Sequence, residues 1–222
     1  MQPIDPRNNL SPRGNGHSDR HRAARDALLI SQRGRLLAGM SECVEVKGYR
    51  GTTLTDIVGR ARVSRSTFYE HFTDKEECFV AAVEAGAGLL HTRISQEMAR
   101  LRHPDARALV TNSLTTYCEV VVAEPQLARL VLVEAFKAGG AAVERHDASL
   151  DMFTALCRDF HLRARAESAD MPEVSDGQPA LIVDAIAERT RRMIERGQIA
   201  LLPQRIPDLC AFAFAVLRLP RA

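Results

Sequence analysis

Tryptophan is absent from the 222 residues, and all aromatic residues together make up only 5% of them. With 45% hydrophobic residues the chain still has enough apolar material for a buried core, so the composition is that of a soluble globular protein. Cysteine is scarce, and its placement says more than its number. The five thiols stand at 43, 78, 118, 157 and 210, and none forms a C-x-x-C pair. That argues against a disulfide framework or a metal knuckle and for buried free thiols in a reducing cytoplasm. No run approaches the 18 or so uninterrupted apolar residues of a membrane helix, so no membrane partner is expected. The N-terminus lacks the apolar core of a secretory signal. Catalytic signatures are missing too: there is no G-x-S-x-G, no Walker A, no H-E-x-x-H, and no G-x-G-x-x-G following a strand. His91, His146 and His161 stand apart from ligand-spaced cysteines and carboxylates. No catalytic residue, metal site or cofactor is therefore expected, and an enzyme reading has nothing positive behind it. No alternating Val, Ile and Thr stretch suggests a sheet.

Charge is nearly balanced overall, at +2, but unevenly distributed. Residues 1–75 hold 13 Lys and Arg against 8 Asp and Glu, whereas the remainder holds 17 against 20. A basic N-terminal third suits a surface that faces phosphates. Within it, residues 1–20 are rich in Pro, Gly, Asn and Ser and read as a disordered cationic arm carrying Arg7, Arg13 and Arg20.

Helical periodicity covers the rest. A helix is expected from about Arg22 to Lys47, ending at Gly48 and weakened at Gly34 and Gly39. Leu54, Ile57, Val58 and Ala61 share one face of a short second helix, which Thr53 and Asp56 open with a capping-box pattern. Arg62 and Val63 interrupt the pattern. Ser64 is a good N-cap for a third helix, on which Phe68 and Phe72 face inward. Arg65, Ser66, Thr67, Tyr69, Glu70 and His71 are left facing outward. One helix braces while the next offers short polar and basic side chains, which is the layout of a helix-turn-helix.

The stretch from about Leu36 to Val83 resembles the DNA-binding domain of TetR-family transcriptional repressors. The resemblance rests on Gly48-Tyr49, Thr52-Thr53-Leu54-Thr55-Asp56-Ile57, Val63-Ser64, Thr67-Phe68-Tyr69-Glu70-His71-Phe72 and Lys75-Glu76. Arg62 departs from the family, which often has Gly there, and a strained or reshaped turn is expected in consequence. The resemblance implies an all-α fold in which a helix-turn-helix three-helix domain (residues 21–73) precedes a helical ligand-binding and dimerisation domain (74–222). It also implies DNA contacts. Thr52, Thr53, Ser64, Arg65, Ser66, Thr67, Tyr69, His71 and Lys75 are the candidates, with Arg65 and Ser66 reaching base edges and Tyr69, His71 and Lys75 gripping phosphates.

Beyond the reader, Thr73-Asp-Lys-Glu76 reads as a capping box for a long helix to about Arg100, with Gly86 and Gly88 in its interior. Pro104 suits the first turn of a helix to Glu124, and Pro125 opens another, broken at Gly139-Gly140. A longer helix then runs to about Ala169, followed by a loop at 171–179, a helix from Pro179 to Arg196, and a last helix up to Leu219. The family pattern implies an effector pocket among the middle helices, with Met98, Tyr117, Cys118, Val121, Phe153, Cys157, Phe160 and His161 as candidate ligands of a small hydrophobic molecule. It also implies a homodimer on double-stranded operator DNA. The candidate dimer face comprises Ile182, Ala185, Ile186, Arg189 and Met193 on one helix and Phe212, Ala215, Val216 and Leu219 on the last. The other reading of the same residues is a helical small-molecule-binding or interaction protein whose DNA reader has degenerated.

Overall fold

The computed structural model describes residues 31–167 and 171–220. The expected N-terminal arm, and the start of the first expected helix at residues 22–30, lie outside the described residues. Every regular element among the described residues is helical. In chain order these are α1 (Gln32–Gly51), α2 (Leu54–Ala61), α3 (Arg65–His71), α4 (Lys75–Met98), α5 (Ala106–Ala123) and α6 (Pro125–Arg129). A π-helical turn, Leu130–Glu134, leads into α7 (Ala135–Ala138). Then come α8 (Gly140–Glu167), α9 (Gly177–Glu195), a 3-10 segment (Ile199–Arg205) and α10 (Ile206–Val216).

The first three helices pack as the apolar spacing dictates. Leu36, Met40 and Val44 of α1 meet Ile57 of α2, Phe68 of α3, and Phe79 and Val83 of α4 in one core. Gly39 lies at the α1–α2 crossing, where a Cβ would stand 3.1 Å from the Ile57 carbonyl oxygen and 3.2 Å from the Ala61 nitrogen. What reads in the sequence as a weak point of the helix is the position that lets two backbones touch. Gly48, with φ of 68°, stops the regular part of α1, and one further turn runs on to Gly51.

Several expected boundaries shift. Asp74, not Thr73, caps α4: its carboxylate accepts the Glu77 N–H at 2.8 Å. Glu77 accepts the N–H and the hydroxyl of Thr73, the residue before the cap, at 2.6 and 2.7 Å, so the expected capping box is replaced by an Asp74 cap with Glu77 holding the residue ahead of it. Pro104 precedes the N-cap Asp105 and does not enter the first turn. The helix after the loop begins at Gly177, and the last helix ends at Val216, three residues short of the expected end.

α4 bridges the molecule, packing on α1 at one end and on α5 and α8 further along. Gly86 is buried in it, and a Cβ there would lie 3.0 Å from a Val131 methyl, so α4 and the π turn are in close contact. Gly88, two residues on, has open space around it. A second core gathers Leu109, Val110 and Cys118 of α5, Phe160 of α8, Ile182 and Ile186 of α9, and Ala213 of α10.

Of the expected dimer stripes, Ile182, Ile186, Met193 and Leu219 are buried in this second core. They close the subunit because their side chains point between α5, α8 and α10. Ala185, Arg189, Phe212 and Ala215 remain exposed, joined by Leu181, Leu162 and Leu201, which the sequence pattern did not single out. Ile199–Val216 is long and apolar enough, by length and composition, to cross a membrane. Leu202, Leu209 and Ala213 within it belong to the second core.

Candidate nucleic-acid interface and effector cavity

The reader is built by local hydrogen bonds. At the start of α2 the Thr53 hydroxyl accepts the Asp56 N–H at 3.2 Å, and the Asp56 carboxylate accepts the Thr53 N–H at 2.9 Å. The ammonium of Lys47 beside that carboxylate, with the Thr53 bonds, holds Asp56 well below the usual carboxylate range. The turn into α3 is closed by Arg62 in the left-handed region, at φ 54° and ψ 50°, where Gly would sit without cost. The cost of that conformation lies in the backbone, where the Arg62 Cβ crowds the carbonyl oxygen. Ser64 accepts the Thr67 N–H at 3.0 Å, and its hydroxyl also meets those of Ser66 at 2.7 Å and Thr67 at 2.9 Å. The hydroxyls that open α3 are thereby held in one cluster.

Arg65, Ser66 and Tyr69 stand on the exposed face of α3, with Tyr69 55% exposed and edge-on to Phe68. Thr53 and Ser64 are exposed beside them, and Thr67 is half-buried. Three of the expected contact residues have other engagements. Thr52 is 1% exposed, and its hydroxyl donates to the Gly48 carbonyl at 2.8 Å, so its side chain faces the core and not the exposed face of the reader. Lys75 folds back: its ammonium donates to the Tyr49 and Thr52 carbonyls, both at 3.0 Å, and lies 4.2 Å from the Tyr49 ring centroid. It ties the end of α1 to the start of α4, sharing the Tyr49 carbonyl with the Thr52 N–H. His71 is half-buried, and its Nε2 is enclosed by the protein without a hydrogen-bond partner.

The second site is a cavity of about 130 Å³ enclosed by α4, α5, the π turn, α8, α9 and α10. Of the expected ligand residues, Tyr117, Val121, Phe153, Cys157 and Phe160 line it. Met98, Cys118 and His161 do not. The Met98 sulfur sits 3.4 Å from the Ser113 hydroxyl, Cys118 is fully buried in the core between α5 and α10, and His161 Nδ1 lies 3.2 Å from the Leu217 carbonyl oxygen. Cys118 and His161 are each next in sequence to a lining residue, Tyr117 and Phe160, while Met98 lies one turn beyond the lining Ile94. Cys157 stays a thiol, pushed up to about 12 by burial. Burial also raises the Tyr117 phenol, which donates to the Thr190 hydroxyl at 2.8 Å.

Sequence reasoning missed two functional-site residues. His146 lines the cavity at 2% exposure. It extends the Leu150, Phe153, Cys157 and Phe160 stripe back by one turn, and following that stripe would have found it. Glu134 is the other. It is 1% exposed, and its carboxylate pairs with Lys137 at 2.8 Å and Arg129 at 3.6 Å while accepting the Tyr49 N–H at 3.1 Å. No local pattern announces it, because its partner is far away in sequence.

Residues 36–82 match the family model of bacterial regulatory proteins of the tetR family. Among solved structures, the fold is similar to the fatty acid degradation regulator FadR of Bacillus halodurans (TM-score 0.75, 14% identity, covering 85% of this chain and 97% of that one). It is also similar to FadR from Bacillus subtilis in complex with stearoyl-CoA (TM-score 0.58, 15% identity, 83% and 95%). The reduced form of NemR from E. coli is a further match (TM-score 0.62, 16% identity, 86% and 99%).

Proposed function

We infer that this chain, which belongs to the TetR family of DNA-binding transcriptional regulators, is a homodimeric repressor that leaves a palindromic operator when a small hydrophobic effector enters the cavity. In this reading residues 21–73 form the reader and residues 74–222 the effector and dimer half. Arg65 and Ser66 read base edges, and Tyr69 holds phosphate with the exposed N-terminus of α2 behind Thr53. Thr52 and Lys75 serve the reader from inside by fixing the end of α1.

One observation carries the coupling between effector and DNA. The π turn supplies Val131 and Leu132 to the cavity wall and, in the same five residues, Glu134 to the Tyr49 N–H at the end of α1. Tyr49 in turn receives Lys75 from the start of α4. A ligand pressing on that wall bears on the reader through a short chain of contacts. It releases DNA to the extent that it favours the DNA-incompetent arrangement, about 1–3 kcal/mol for a typical coupling. The exposed Leu181, Ala185, Phe212 and Ala215 support a second copy of this chain on the α9–α10 face. Two readers on a twofold axis then suit a palindromic site.

The test is a gel-shift with duplex DNA flanking the protein's own gene, paired with sedimentation to read the oligomeric state. Saturable binding to one fragment by a dimer is the expected result. Binding that does not distinguish this DNA from random duplex would reject the operator.

A further inference from the structure

The cavity wall offers a ligand almost nothing but carbon. No Lys, Arg, Asp or Glu lines it. Its polar side chains use their hydrogens inside the protein. Tyr117 donates to the Thr190 hydroxyl at 2.8 Å, Ser149 to the Arg145 carbonyl at 2.8 Å, and Ser113 to the Met98 sulfur at 3.4 Å. His146 is bonded to the Val131 backbone, and its Nδ1 is enclosed by protein and closed to the cavity. Cys157 stays uncharged under burial and packs as a small apolar group. The elements around the cavity are helical, so their interior backbone N–H groups are bonded within the helices.

We propose that the cavity takes a compact single-ring hydrocarbon and rejects the same ring carrying a carbonyl or a carboxylate. This rests on the effector reading above and narrows it to one ligand class. Size limits the ligand to one ring, since an apolar cavity near 150 Å³ takes up benzene and this one is about 130 Å³. The missing donors limit its polarity. A carbonyl oxygen that leaves water needs an N–H or O–H to replace its hydration, and the donors of this wall are already engaged. A carboxylate meets the same lack and also finds no cation, which disfavours it far more strongly. The His146 imidazole does not become that cation. Burial lowers its pKa, against the opposing pull of Asp147, the Val131 backbone bond and Asp184. A hydrocarbon leaves no polar group unpaired on either side, and all of its surface is apolar surface removed from water.

The experiment compares three probes of one shape, α-methylstyrene, acetophenone and benzoate, by calorimetry on the full-length protein without DNA. They differ in carrying a methylene, a carbonyl oxygen or a carboxylate at the same place on the ring. Acetophenone is expected to bind between about five- and a hundredfold weaker than α-methylstyrene, the range for burying one polar group without a partner, and benzoate weakest. Two substitutions locate the binding. Ala187 is half-buried and lines the cavity, so Ala187→Leu fills it and should weaken α-methylstyrene at least about tenfold. Phe153 is also half-buried and lines it, so Phe153→Ala enlarges it and should admit naphthalene, which the unaltered protein refuses. Circular dichroism melts establish that each variant folds, and either one alone suffices to place the ligand. Acetophenone or benzoate binding as tightly as the hydrocarbon, hydrocarbon affinity that neither substitution changes, or no binding of α-methylstyrene each overturns the proposal. Adding the DNA fragment retained in the gel-shift separates the two levels. A hydrocarbon bound with the expected selectivity but without effect on DNA affinity upholds the cavity's ligand class and rejects effector-driven release.

Discussion

The Glu134 carboxylate accepts the backbone N–H of Tyr49 at 3.1 Å, across 85 positions of sequence. Gly48, with its positive φ, takes the chain out of the helix just before Tyr49. The Tyr49 ring packs on Phe79 with centroids 4.5 Å apart, and its carbonyl takes the Lys75 ammonium. One residue thus gathers the end of α1, the start of α4 and the π turn.

Glu134→Gln and Glu134→Ala should behave differently. Gln retains an acceptor for the Tyr49 N–H, and stability should change by less than about 1.5 kcal/mol. Ala leaves that part-buried N–H unpaired, a loss of about 1–3 kcal/mol by urea denaturation. Ala should also flatten the dependence of DNA affinity on effector. An unchanged ligand response in the Ala variant, measured by fluorescence anisotropy, would reject the coupling route through Tyr49.

Arg62→Gly should raise the melting temperature. The left-handed conformation costs a side chain roughly 1–2 kcal/mol, partly offset by the greater freedom of Gly in the unfolded chain, so a net gain of up to about 1 kcal/mol is expected. A lower melting temperature would mean that the Arg62 side chain contributes more than its backbone costs.

Gly39→Ala and Gly88→Ala form a matched pair on helices. At position 88 there is open space, so Ala should stabilise by roughly 0.5–1 kcal/mol through helix propensity alone. At position 39 the new methyl meets backbone atoms of α2, and overpacking of about 1–3 kcal/mol outweighs the propensity gain. Gly39→Ala should also weaken DNA binding by shifting α2 and α3 together. Equal melting shifts for the two variants would remove the argument from close approach.

On the DNA side, Tyr69→Phe should weaken operator and random duplex binding alike, because phosphate contacts position without specifying. Arg65→Ala should relax preference at one base pair per half-site, at about 1–3 kcal/mol for each lost contact. A binding-site selection with the Arg65 variant that returns an unaltered motif would remove Arg65 from the base-reading set.

What could be read from the sequence follows a physical divide. The caps at Thr53 and Ser64 and the Leu54, Ile57, Val58, Ala61 stripe were legible because each depends on residues three or four positions away. The α4 cap was placed one residue early because Thr73 with Glu76 and Asp74 with Glu77 satisfy the same local pattern, and only the folded chain chooses. Ile182 and Leu181 are neighbours on α9, yet one is buried and the other exposed, which apolar character alone cannot separate. In the cavity, Phe153 and Phe160 followed from periodicity. That His146, alone of His91, His146 and His161, joins the cavity wall did not, since packing between helices decides it. The Glu134 contact and the π turn lay beyond reach because both are set by packing between distant segments.

The π turn Leu130–Glu134 gives one short stretch of the gene two responsibilities. Val131 and Leu132 shape what the cavity admits, and Glu134, at the end of the same turn, holds the junction with the reader. A one-residue insertion or deletion there would rotate Glu134 away from Tyr49 while recontouring the cavity. If the cavity takes an effector, substitution at 131 and 132 should alter ligand preference alone, whereas a change in the length of this stretch should disturb sensing and transmission together.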